Sequence, residues 1–216
     1  MMEIEMQVLV YIGVALLLLA AYTAWGMIRM QTPTRGKVID PAVRTGEALV
    51  VIDVQKDFTS GETYDAELVE QTLSRINLLA RDARDKGIPV LNVRHVFKGP
   101  YVNLLVRLLS GGRGGVGSQG LATDPRLQLG AEAEFVKHRG DAFSNPEFGQ
   151  WLDRHGIGKL VIAGLDGNAC VKSTADGALN RGYRVEIVDD AVLAYSSTGW
   201  AGHKERLKAR GALIAA

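Results

Sequence analysis

Cysteine occurs once in the 216 residues, at Cys170, so the chain can close no internal disulfide and build no multi-cysteine metal site. Aromatic residues make up only 6%, and they are not grouped with lysine or arginine as a nucleic-acid binder would need. Neither sign of charge is in excess: 25 Lys plus Arg stand against 24 Asp plus Glu, a net charge of +1, so no nucleic-acid or other polyanionic partner is signalled. Histidine is missing from Thr59 to Arg81, which removes that stretch as a source of imidazole ligands. No internal repeat or long run of charge occurs. What is present, 47% hydrophobic and 23% charged residues, is the composition of a globular chain and excludes disorder and fibrous repeats.

The hydrophobic residues are unevenly spread. From Val8 to Ile28 run 21 residues without a charge. At about 1.5 Å rise per residue this run matches a hydrocarbon core of roughly 30 Å, and it predicts a single transmembrane helix in contact with lipid. A cleavable signal peptide is the alternative. It fits less well, because Glu3 and Glu5 stand where basic residues are expected, the run is long, and no small-x-small cleavage site follows. Arg29, Arg35 and Lys37 follow the span while acids precede it, so the positive-inside rule puts the C-terminal side in the cytoplasm. Three parts are expected: a membrane anchor over residues 1–30, a linker over 31–46 containing Pro33, Gly36, Pro41 and Gly46, and a soluble domain over 47–216.

Within that domain the segments Ala48–Val54, Pro89–Val96, Lys159–Gly164, Arg184–Asp189 and Ala212–Ala215 are short and almost continuously apolar, as strands covered on both faces are. Helical patterns lie between them at Ala66–Lys86, Pro146–His155, Cys170–Arg181 and Gly199–Arg210, three of them closed by Gly87, Gly182 and Gly211. The alternation predicts a three-layer α/β/α domain with a mainly parallel sheet, whose site lies at the carboxyl ends of the strands. Phe97 to Ala131 breaks the pattern with a leucine-rich patch, Leu104–Leu109, and five glycines within Gly111–Gly117. This stretch is read as an active-site lid, an inert insertion, or an apolar surface for membrane contact or homo-oligomer assembly. It lacks the spacing and the flanking strand and helix of a phosphate loop.

Three residues fall where strands end: Asp53, Lys137 and Cys170. Taken singly each has a bland explanation: a loop cap, an edge lysine, a buried small hydrophobe. Together they suit acyl transfer. A thiol opening a helix feels the unpaired N–H groups there, and a nearby lysine would lower its pKa, which predicts a thiolate. Asp53 could carry protons between thiol and leaving amine, and the backbone N–H groups of Ala169 and Cys170 could hold an oxyanion. A Cys–His pair is the competing way to activate a thiol, with His95 as its best candidate; a hydrogen-bonded histidine at a strand end remains equally open. His138 should face away from Lys137 on an extended segment, and His155 and His203 read as surface residues.

The strings ALVVIDVQKDF, FVKHRGDAFSNPEFGQWL and LVIAGLDGNACVKSTADGALNRGYRVEIVDDA resemble the isochorismatase-like cysteine hydrolases, which include nicotinamidases and N-carbamoylsarcosine amidases. The resemblance spans about Ala48 to Ile214. It implies a catalytic triad of Asp53, Lys137 and Cys170 and a non-proline cis peptide at Leu165–Asp166. Phe58, His95 and Asp166 are expected to line the substrate pocket. Two departures stand out: Gly167 replaces a threonine frequent in the family, and the histidines of the nicotinamidase metal site are missing. The expectation is therefore a membrane-anchored cysteine amidohydrolase without metal or other cofactor, acting on a small amide, carbamoyl or ureido group. The alternatives are an isochorismatase-type hydrolase of a non-amide substrate and a catalytically idle membrane-bound scaffold.

Overall fold

The computed structural model describes residues 2–61 and 63–216. Helix α1, Met2–Gln31, contains an apolar span, Leu9–Gln31, of mean hydropathy 1.9, and nothing in that span is buried against the rest of the chain. By length and composition this helix can cross a membrane; a signal sequence passes the same test.

Residues 32–45 form no helix or strand, yet they are fastened to the domain. The Thr34 N–H and hydroxyl donate to the Asp141 carboxylate at 2.7 and 2.5 Å, Arg181 donates to the carbonyls of Thr34 and Arg35, and buried Ile39 donates its N–H to the Arg181 carbonyl at 2.8 Å.

The domain is built on six strands: β1 Gly46–Ile52, β2 Val90–His95, β3 Ala133–Lys137, β4 Ile157–Leu165, β5 Arg184–Leu193 and β6 Leu213–Ala215. All pair in parallel, in the order β3-β2-β1-β4-β5-β6. The period-two geometry of β1 divides its side chains between two cores. Ala48, Val50 and Ile52 pack on one face with Phe148, Leu152, Ala175 and Leu207; Leu49 and Val51 pack on the other with Val69, Leu73, Ile76 and Ala80. The helices follow that division. α2 is the single turn Lys56–Thr59, and α3, Ala66–Asp85, covers the second face, started by Asp65, whose side chain accepts from the N–H groups of Glu67 and Leu68. α5 (Pro146–Arg154), α6 (Lys172–Leu179) and α7 (Ser197–Ala209) cover the first. The result is the three-layer α/β/α arrangement.

Several boundaries differ from the sequence reading. β1 stops at Ile52, because Asp53 takes a left-handed conformation with φ 56°. The leucine-rich patch belongs to a helix, α4, Pro100–Ser110, with its proline in the first turn and Gly111 at φ 62° closing it. β3 was absent from the expected strands: as an edge strand it buries only Phe135 and Lys137, so its AEFVK pattern has no apolar run. α6 starts at Lys172, not at Cys170; Gly167–Val171 forms a wide π-type turn before it.

Candidate active site

Four neighbouring parallel strands deliver four chemical groups to one edge of the sheet. β3 ends on Lys137, β2 on His95, β1 immediately before Asp53, and β4 on Leu165, whose peptide bond to Asp166 is cis and leads into the turn carrying Cys170. His95 and Lys137 are partners in the β2–β3 register, so their side chains emerge on the same side. The Asp53 N–H donates to the Val93 carbonyl at 2.7 Å, which holds the left-handed turn against β2.

Lys137 is the hub. Its Nζ donates to Asp53 Oδ2 at 2.7 Å and to His95 Nδ1 at 2.8 Å, and His95 Nδ1 lies 3.8 Å from Cys170 Sγ. Asp53 and Lys137 are 2% and 1% exposed, so this ion pair is screened little by water. An ammonium has no acceptor, so His95 Nδ1 must accept; the ring is neutral and carries its proton on Nε2. Burial and the Lys137 charge both hold the His95 pKa well below the ordinary histidine value. Two buried atoms of this cluster, Asp53 Oδ1 and His95 Nε2, have no hydrogen-bond partner among the described residues. Gln55, which sequence reasoning passed over, clamps the His95 backbone: it accepts from the His95 N–H at 2.6 Å and donates to the His95 carbonyl at 3.0 Å. Its signal was a glutamine two residues past a strand-end aspartate, too common a pattern to single out.

The electrostatics run against the expected thiolate. Burial and the Asp53 carboxylate push the Cys170 thiol up to about 12, outweighing the opposite pull of Lys137. Burial raises the Asp53 pKa although Lys137 opposes it. Burial works against the Lys137 charge, but Asp53 and Cys170 together hold the ammonium above the ordinary lysine range. Burial therefore favours the neutral forms of Cys170, Asp53 and His95, while Asp53 and Cys170 favour the charged form of Lys137.

The oxyanion expectation needs correcting at Ala169. The Ala169 N–H already donates to the Asp166 carbonyl at 3.0 Å, sharing it with the Val171 N–H at 3.1 Å, because the wide turn closes on that oxygen. Cys170 supplies the remaining N–H of the expected pair.

Above these groups lies a cavity of about 500 Å³. Phe58, His95 and Asp166 line it together with Phe97, Tyr64 and the pocket-facing residues of α4. The Asp166 carboxylate is already engaged, accepting from the N–H groups of Asn168 and Tyr195 and from the Tyr64 hydroxyl. The Gly111–Gly117 segment is tied down beside this cavity: the Gly114 N–H donates to Asp57 Oδ2 at 2.7 Å, and the Phe97 N–H donates to the Gly114 carbonyl at 2.8 Å. His138 faces away from Lys137 and sets its ring against the Val96 carbonyl.

The space a threonine would need at Gly167 is filled. A Cβ there would meet Trp200 Cδ2 at 2.9 Å and Ala194 Cβ at 3.1 Å, and Trp200 is held by Asp189 at 2.8 Å. Ligand atoms of Asp53, His95 and Cys170 lie within 4.8 Å of one another, a grouping that could hold a metal. The Lys137 ammonium stands at hydrogen-bond distance from two of them, so a cation entering here would meet a buried positive charge.

A family profile described as the isochorismatase domain matches residues 47–216. The uncharacterized isochorismatase family protein YecD of Escherichia coli O157:H7 is 30% identical over 156 residues, covering 69% of this chain and 81% of that protein. A streptothricin hydrolase of Streptomyces noursei is 29% identical over 153 residues, 69% of this chain and 50% of that protein. The crystal structure of N-carbamoylsarcosine amidase from Thermoplasma acidophilum superposes with a TM-score of 0.67 at 28% identity, covering 79% of this chain and 95% of that one. On a profile match spanning its whole α/β domain, this chain belongs to the isochorismatase-like cysteine hydrolase family, as a hydrolase with amidase relatives.

Proposed function

We propose that the protein is a membrane-anchored, metal-independent amidohydrolase that cleaves a small amide, carbamoyl or ureido C–N bond through a thioester on Cys170. The observation that carries this reading is the lysine hub: Lys137 holds Asp53 and His95 in place beside Cys170 Sγ. Asp53 Oδ1, buried and unpartnered among the described residues, takes the thiol proton as Sγ attacks the substrate carbonyl carbon. Lys137 keeps its charge throughout and offsets the negative charge as it moves from carboxylate to sulfur. The Cys170 N–H donates to the oxyanion. Asp53 then returns the proton to the departing nitrogen as the C–N bond breaks, leaving the acyl thioester. Water, deprotonated by Asp53, cleaves the thioester and restores the thiol.

The domain is fixed to the membrane by α1, with Arg29, Arg35 and Lys37 placing it in the cytoplasm. The test is a screen of small amides, carbamates and ureas for ammonia or amine release, with intact-mass detection of the acyl-enzyme. Cys170→Ala should abolish both signals without unfolding the domain. An acyl adduct that survives this substitution would refute the assignment. A catalytically idle scaffold, the rival reading, draws on the neutral resting thiol, and it predicts no turnover of any member of the screen.

A further inference from the structure

α4 is more apolar than a lid facing only water needs to be. Leu105, Val106 and Leu109 line the cavity, Leu109 at its rim and 82% exposed, whereas Leu104 and Leu108, one turn apart and outside that lining, are 53% and 72% exposed. Val116, just beyond the helix, is also exposed. From Lys98 to Thr123 there is no aspartate or glutamate, while Lys98, Arg107 and Arg113 are basic. Outward leucines in a stretch whose only charged residues are basic are the composition of a helix lying in the interface of an anionic bilayer.

The topology roots α4 at the same edge as the loop that holds the anchor. Because the sheet is parallel, the carboxyl ends of all its strands lie along one edge. α4 leaves that edge after β2, and the Arg139–Asp141 loop leaves it after β3. That second loop grips the end of α1: Arg139 donates to the Arg29 carbonyl at 2.7 Å, and the Gly140 N–H donates to the Met30 carbonyl at 2.9 Å. The apolar span then leaves the domain with none of its residues buried. The anchor, the outward leucines and the cavity roof therefore share one edge.

We propose that α4 lies on the same bilayer that α1 enters, and that the cavity is fed from that bilayer with amides carrying an apolar body. The proposal rests on the anchoring reading given above, and its test separates the two. The full chain is reconstituted into phosphatidylcholine vesicles containing phosphatidylglycerol, with bromine-labelled acyl chains as quencher. Trp25, exposed within the span, reports the anchor, while Trp151 and Trp200 are buried in the domain and give a constant background. In a Trp25→Phe background, the tryptophan introduced by Leu108→Trp should be quenched, with blue-shifted emission, and the quenching should weaken when phosphatidylglycerol is omitted. If Trp25 is quenched and the residue introduced by Leu108→Trp is not, α4 is off the membrane and the proposal falls while the anchor stands. If Trp25 itself is not quenched, both readings fall.

The substrate half is read from primary amides of increasing acyl length presented in the same vesicles. Turnover should favour the long-chain members, and replacing both outward leucines (Leu104→Ser with Leu108→Ser) should raise KM for them at least tenfold with kcat unchanged. An absence of chain-length preference, or a KM indifferent to that pair of substitutions, overturns it.

Discussion

Asp53→Asn should move two properties of Cys170 in opposite directions. Burial and the Asp53 carboxylate push the wild-type thiol up to about 12, so ionisation near pH 7 is disfavoured. A ligand atom of Asp53 and the Cys170 sulfur lie within 4.8 Å of each other. At an effective dielectric constant of about 20, two like unit charges at that separation repel by about 3 kcal/mol, more than a hundredfold in the thiol equilibrium. Replacing the carboxylate by an amide removes that repulsion and leaves Lys137 free to face the thiolate, so both changes favour ionisation. Iodoacetamide labelling near pH 7, followed by intact mass, should therefore speed up at least tenfold. The single cysteine makes the signal free of background. Hydrolysis should fall by about 10²–10⁴ in the same variant, because the amide cannot carry the proton to the leaving nitrogen. Labelling that slows or stays unchanged would refute the idea that Asp53 suppresses the thiolate, and hydrolysis that survives would remove it as the proton carrier.

Other expectations follow from the same geometry. Lys137→Met strands the buried Asp53 carboxylate and should cost about 3–5 kcal/mol at pH 7 in thermal or denaturant unfolding. Since burial already raises the folded-state pKa of Asp53 in the wild type, and the pKa rises further without its partner, this loss should grow as pH climbs through the wild-type folded value, above the ordinary carboxylate range, and shrink below it. Gly167→Ala drives a methyl against Trp200 and should destabilise by about 1–3 kcal/mol, a loss that Trp200→Leu in the same chain relieves; additive losses would show that Trp200 is not the obstacle. The acid limb of kcat/KM should lie above the ordinary carboxylate range, because Asp53 must be ionised to accept the thiol proton and burial raises its pKa. Dialysis against a chelator should leave turnover unchanged, and recovery of a lost activity by Zn²⁺ would contradict the metal-free mechanism.

The strands and most helices of the domain were legible because burial leaves a local imprint. β1 and β4 are covered on both faces, so ALVVI and KLVIAG are nearly unbroken apolar runs, and α3 repeats its buried residues at Val69, Leu73, Ile76 and Ala80. β3 carries no such imprint. It lies at the sheet edge, where two buried side chains suffice, and its register against β2 comes from pairing that no five-residue window contains. Boundaries slipped where one backbone conformation decided them, as at Asp53, and where a wide turn replaced the first turn of a helix, as before α6.

The sequence by itself determined the fold class, the apolar N-terminal helix and the identity of Asp53, Lys137 and Cys170 as the residues to watch. The first two depend on residue type and on periodicity over a few turns, and the three residues stood out through the family resemblance of the strings around them. Tertiary structure alone decided how those groups are charged and what they touch. Lys137 reaches Asp53 across 84 positions of chain, and His95 enters the cluster because parallel pairing sets it beside Lys137. The thiol is pushed up because desolvation sums over every atom packed around it and because the Asp53 carboxylate lies alongside. Trp200 fills the space left at Gly167 from a helix 33 residues further along. Proximity of that kind is a property of the packed chain, and no local pattern encodes it.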